Sequence, residues 1–162
     1  MKENRSPARA LCRGALIAAM YVALTVLAAQ LGLSSGVIQL RLSEALCVMP
    51  LFTAAAVPGL AVGCFLANAL TGAVALDVVM GAAATLIGAL GTYALRRRPL
   101  PALLPPILAN TVIVPWVLRY GYGVPDAIWY MMLTVGAGEV LSVGVLGFLL
   151  YLSLRRRAVR LA

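Results

Sequence analysis

The chain has no histidine, only five acidic residues among 162, and three cysteines scattered at Cys12, Cys47 and Cys64. Without histidine and without clustered cysteines there is no ligand set for a zinc site. The cysteines lie in or beside apolar runs and read as small buried packing residues. No phosphate-loop pattern of glycines followed by lysine occurs, so the chain does not itself hydrolyse a nucleotide. Nor is there a nucleophile–base pair, which argues against a membrane enzyme and predicts no cofactor. Charge of any kind is scarce at 11% of residues, against 63% hydrophobic. Mean hydropathy is +1.00. A soluble domain of this size cannot hide so much apolar surface in its interior, so the expected solvent is lipid and the expected location is the cell membrane, crossed several times.

What charge there is falls in clusters. Long uncharged stretches at 14–40, 45–76, 78–95, 99–118, 127–138 and 140–154 are punctuated by Lys2, Arg5, Arg9 and Arg13, by Arg96, Arg97 and Arg98, and by Arg155, Arg156, Arg157 and Arg160. Basic residues followed by an apolar run resemble a cleaved leader, but further apolar segments follow, so a retained first helix is expected. Short loops rich in arginine stay in the cytoplasm, and three clusters on one side require an even number of spans between each pair. The stretch 45–76 decides the count. As one helix it would run about 48 Å, too long for a hydrocarbon core of about 30 Å. Pro58-Gly59 offers the break.

The expected fold is therefore all-α: a single membrane domain over 1–162, six transmembrane helices at about 11–31, 43–56, 58–74, 76–95, 101–119 and 129–154, and both termini cytoplasmic. All basic residues except Arg41 and Arg119 then lie inside, and every acid except Glu3 lies outside or in the membrane. The excess of positive charge is a topology signal, and binding of nucleic acid is not expected, because the arginines flank helix ends without interleaved aromatics.

A charge within lipid is costly and normally faces a cavity or a partner. Glu139, about ten residues into the last helix beside Gly136, Ala137 and Gly138, reads as a ligand carboxylate or as half of an ion pair with Arg41 or Arg119. Glu44 and Asp77 each open a helix, where an acid also suits the helix dipole or caps it. Asn68 and Asn110 sit inside helices, where an amide either bonds a neighbouring helix or reads the edge of a polar heterocycle. Tyr120, Tyr122, Trp129 and Tyr130 gather at outer helix ends, the usual place for interfacial anchors, and one or two of them also suit stacking on a planar ligand. Ala15, Ala19 and Ala23 form a row of small residues on one face of the first helix, apt for internal packing or for docking to another subunit. Gly81, Gly88 and Gly91 form a similar seam assigned to internal packing.

The strings IQLRLSEALCVMP, PGLAVGCFLANALTG, LDVVMGAAATLIGALGTYAL, PPILAN and GAGEVLS, in this order, resemble the QueT family. These are substrate-binding S components of energy-coupling factor (ECF) transporters linked to uptake of queuosine precursors. The resemblance implies a six-helix protein that binds a small vitamin-like substrate from outside. Its partners are a transmembrane coupling subunit (EcfT) and two cytoplasmic ATP-binding subunits. It also implies a docking face at Ala15, Ala19 and Ala23, and a pocket in the outer half covered by the loop at about 32–43. Import then involves tilting of the S component, reset by ATP hydrolysis in the partners. A 7-deazaguanine with an aminomethyl group (preQ1) presents a cation and a guanine-like edge. Glu44, Asp77 or Glu139 suit the amine and ring N–H groups, Asn68 and Asn110 supply amide contacts, and Arg41 pairs with an acid or closes the lid. The competing expectation is a stand-alone transporter of cationic compounds driven by the proton gradient, with Glu139 as its proton site.

Overall fold

The computed structural model describes residues 7–32 and 40–160. Lys2, Glu3 and Arg5, and most of the expected covering loop (33–39), lie outside the described residues. Among the described residues all regular structure is helical: α1 Pro7–Gln30, a 3-10 segment Leu42–Leu51, α2 Ala56–Leu70, α3 Ala75–Ala94, α4 Leu104–Gly121 after a short turn at Pro101–Leu103, and a last rod. The rod begins as α5 Ile128–Glu139, passes through a π-helical stretch Val140–Gly147 and ends as α6 Phe148–Arg160. Among the described residues four helices are long and apolar enough to cross a membrane: Pro7–Gln30, Ala75–Ala94, Pro101–Gly121 and Ile128–Arg156. Leu42–Leu51 and Ala56–Leu70 are shorter apolar helices.

The break within 45–76 falls earlier than Pro58-Gly59. The 3-10 segment ends at Leu51, and its exit is closed by amides of Phe52 and Thr53 that both donate to the Met49 carbonyl. Pro58 instead stands in the first turn of α2, where its missing N–H costs no hydrogen bond. The expected α-helix 43–56 is thus a tighter, shorter 3-10 segment, which rises about 2 Å per residue and stretches further than an α-helix of equal length.

Packing contacts set the direction of each element. Along the 3-10 segment the partners on α1 move backwards, from Thr25 at Ser43 to Tyr21 at Glu44. Along α2 they move forwards, from Gly14 at Gly59 to Ala18 and Tyr21 at Gly63. Asn68 meets Asp77 where α3 turns back, Gly88 of α3 meets Pro106 of α4, and Gly136 of α5 meets Thr111 of α4. The elements therefore alternate up and down. This alternation brings Arg9 and Arg13, Arg96–Arg98, and the end of the last rod to one end of the molecule.

The interior holds Tyr21, Leu60, Cys47, Val48, Cys64 and Val143. Large apolar side chains such as Leu16, Val62, Leu90, Leu108, Leu133 and Leu149 point outward. Such a surface suits hydrocarbon, where helices satisfy their own backbone groups and side chains need not be polar. Cys47 and Cys64 are buried as expected, whereas Cys12 is exposed on α1, because its position falls outside the buried stripe of that helix.

The expected seam of glycines is internal. A Cβ at Gly88 would lie 2.6 Å from the Pro106 Cα, a backbone atom that cannot rotate away. Gly88→Ala should lower thermal stability in detergent by about 1–3 kcal/mol through overpacking. Gly144→Ala, whose nearest contact would be an ordinary 3.7 Å to Val140, should not lower it.

Candidate functional site

A cavity of about 450 Å³ opens at the end of the molecule opposite the basic clusters. Its wall is built from the second half of α1, the start of the 3-10 segment, the α2–α3 turn and the end of α4, and it includes Arg41, Asn68 and Asp77. The turn is shaped locally. Gly72 takes φ +75°, and the Asn68 carbonyl accepts from the Ala73 amide at 3.0 Å and from the Thr71 hydroxyl at 3.3 Å. A left-handed residue here lets α3 begin directly beside the end of α2.

Asp77 stands in the first turn of α3, whose N-cap position, Val74, supplies no side-chain cap. Its Oδ2 accepts from the Tyr122 hydroxyl at 2.8 Å, while Oδ1 is buried without a partner. The carboxylate is thus drawn across the cavity to α4, with one oxygen held and the other available. Asn68 donates from Nδ2 to the Asp77 carbonyl at 3.2 Å, which fixes the α2–α3 corner. Arg41 is half-buried, and its amide donates to the Ser142 hydroxyl at 3.1 Å. Its guanidinium lies in the field of Glu44, Glu139 and Asp77.

Glu44, Glu139 and Asn110 do not line this cavity. Glu44 is fully buried; its Oε1 accepts from the Tyr21 hydroxyl and its Oε2 from the Cys47 thiol at 3.0 Å. Tyr21 does line the cavity, so Glu44 lies directly behind the cavity wall. One helical turn on, Thr25 donates to Ser43 at 2.9 Å. Glu139 is 3% exposed, at the point where α5 passes into the π-helical stretch. It neighbours Asn110 and feels Glu44 and Arg41. Its Oε2 has no hydrogen-bond partner, and neither amide atom of the fully buried Asn110 has one. A buried amide or carboxylate left so is unfavourable by about 1–3 kcal/mol, more for a charge. Pairing of Glu139 with Arg119 is ruled out, since the Arg119 guanidinium is exposed and donates to the Val124 carbonyl at 3.2 Å.

The six expected residues thus fall into two groups. Arg41, Asn68 and Asp77 face the cavity, and Glu44, Asn110 and Glu139 form a buried polar nest behind it. Of the aromatic cluster, Tyr122 joins the cavity, whereas Tyr120 and Trp129 are exposed, Tyr120 stacked on Trp116. Sequence reasoning missed Tyr21, Thr25 and Ser43. The available signal was the pair Tyr21 and Thr25, polar groups four apart in an otherwise apolar helix and so on one face. That face is opposite the alanine row: Ile17, Tyr21 and Ala28 are buried, and Ala15, Ala19 and Ala23 are all exposed.

Among the described residues no group of three or more histidine, cysteine or acidic side chains is arranged to hold a metal ion. No curated protein and no solved structure matches the chain. Residues 11–156 match the family model described as QueT transporter. With nearly the whole helical bundle inside that match, the polar cavity and its lipid-suited exterior are those of a membrane protein that belongs to the QueT transporter family.

Proposed function

We propose that this chain is the substrate-binding S component of an ECF-type importer and takes up a queuosine precursor, a 7-deazaguanine bearing an aminomethyl group. The observation that carries this reading is Asp77: a buried carboxylate on the wall of a 450 Å³ cavity, with Tyr122 on one oxygen and no partner on the other. A buried carboxylate oxygen without a partner is suited to an ammonium or a ring N–H, since charge-assisted hydrogen bonds are the strong kind. Asn68 and Arg41 complete the wall. In this reading the buried nest of Glu44, Asn110 and Glu139, tied to the wall through the Tyr21–Glu44 bond, takes the far edge of the same ligand.

The basic clusters gathered at one end argue for that end in the cytoplasm, which puts the cavity on the outside, where an importer meets its cargo. In this reading the two short apolar helices complete six spans and both termini are cytoplasmic. Ala15, Ala19 and Ala23 lie exposed on the back of α1, a flat strip of small residues that lets another membrane helix approach closely. We assign it to the transmembrane coupling subunit, which joins the chain to two ATP-binding subunits that supply the energy. The buried acid Glu139 also favours a second reading, a stand-alone transporter of cationic compounds driven by protons.

Three measurements separate these readings. Asp77→Asn should weaken binding of the aminomethyl-deazaguanine about 10–100-fold in calorimetry, the worth of one hydrogen bond to a charged group; unchanged binding would remove Asp77 from the site. Replacing Ala15, Ala19 and Ala23 with leucine should abolish copurification with the coupling subunit while ligand binding persists, and loss of folding instead would make the row an internal seam. Uptake into proteoliposomes should need the coupling and ATP-binding subunits with ATP; uptake by the chain alone, following a proton gradient, would establish the second reading.

A further inference from the structure

The polar nest and the cavity together hold three carboxylates and one guanidinium. Glu44, Asp77 and Glu139 all act on Arg41, and all three are at most 7% exposed. Fully ionised, the set would carry two uncompensated negative charges inside a lipid-embedded bundle, which is costly unless protons or cations neutralise them.

The hydrogen bonds distinguish the three acids. Glu44 accepts on both oxygens, from Tyr21 and from Cys47, the pattern of a carboxylate with Arg41 as its counter-ion. Asp77 accepts from Tyr122 and borders a cavity open to water. Glu139 lies behind the lining of that cavity, and its Oε2 receives no donor. Among the described residues the titratable and charged groups that act on it are Glu44, Arg41 and Cys47, from the chain at the start of the 3-10 segment. From α4 it meets the neutral Asn110, whose Oδ1 is without a donor and whose Nδ2 is without an acceptor. A carboxylic acid on Glu139, with one O–H donor and one carbonyl acceptor, would match both amide atoms, whereas a carboxylate would match only the Nδ2 donor.

We propose that cationic cargo binds by exchange: as its ammonium group reaches the nest, the Glu139 carboxyl releases its proton to solvent. One positive charge enters and one leaves, so the charge held within the bundle does not change. The carboxylate left behind receives N–H donors from the cargo, and no covalent bond is made. This rests on the cargo reading above and adds to it a proton released on each binding event, with no gradient needed.

The test is calorimetric titration of the purified full chain with 7-aminomethyl-7-deazaguanine in several buffers of different ionisation enthalpy at one pH. Apparent enthalpy should vary with buffer with a slope of about one proton released. Affinity should accordingly rise about tenfold per pH unit while the amine stays protonated and Glu139 stays protonated in the free protein. The uncharged 7-cyano congener should bind with no buffer dependence, and Glu139→Gln should abolish the proton release to the cationic ligand. Should Glu139→Gln fail to fold, the wild-type slopes for the two congeners decide the matter. Binding of the cationic ligand with zero slope overturns the exchange and leaves the cargo reading standing. Binding of neither congener overturns both.

Discussion

The fold turns on how one short segment is held inside the bundle. Leu42–Leu51 is too short to be steadied by its own helical hydrogen bonds, since short isolated helices are marginal and rely on tertiary packing. It is fastened to α1 by Tyr21 donating to Glu44 and, one turn along, by Thr25 donating to Ser43. On the other side, the Arg41 amide meets Ser142 and Val48 packs against Gly147. These contacts join residues 18 to 101 positions apart and place a guanidinium and a hydroxyl on the cavity wall, with an acid directly behind it. The Tyr21 side of the cavity and the acid behind it are built on that fastening.

Lipid as solvent makes the arrangement economical. Apolar side chains gain little by turning inward when hydrocarbon surrounds the protein, so the interior is free to carry small and polar residues. Ala56, Ala67, Ala84, Ala89, Thr85, Thr92 and Asn110 are buried, while many leucines are exposed. Close approach of backbones then does the packing, as between Gly59 and Gly14 or Gly88 and Pro106. The same inversion makes each buried polar group informative, because water is not at hand to satisfy it. Thr92 finds the Ala102 carbonyl at 2.8 Å and so ties the α3–α4 corner at the basic end. Asn110 and Glu139, by contrast, are left with unmet hydrogen-bonding capacity deep in the bundle.

The division of the acids into a cavity set and a buried set gives the site its chemical range. Asp77 offers a carboxylate at the wall, steadied by a tyrosine on a different helix. Glu44 is committed to Tyr21 and Cys47. Glu139 stands at the junction of α-helical and π-helical backbone, a kind of irregularity that often accompanies functional sites. Three carboxylates of one chemical type therefore meet three different surroundings.

Much of this was legible in the residues themselves. Long uncharged runs require lipid. The alternation of those runs with arginine clusters places the clusters together at one end, and a four-residue spacing puts Ala15, Ala19 and Ala23 on one face. All of these follow from local composition and helical period, which act over a turn or two of chain. The position of the break in 45–76 was misjudged because a proline read as a stop is equally at home in a first turn. What only the tertiary structure decided is which polar groups meet. Asp77 and Tyr122 are 45 positions apart, and Arg41 and Ser142 are 101 apart. No local rule relates such residues, because their contact depends on the packing angles and depths of whole helices. Those depths are set in turn by small residues such as Gly59 and Gly88, where two backbones come close enough to touch.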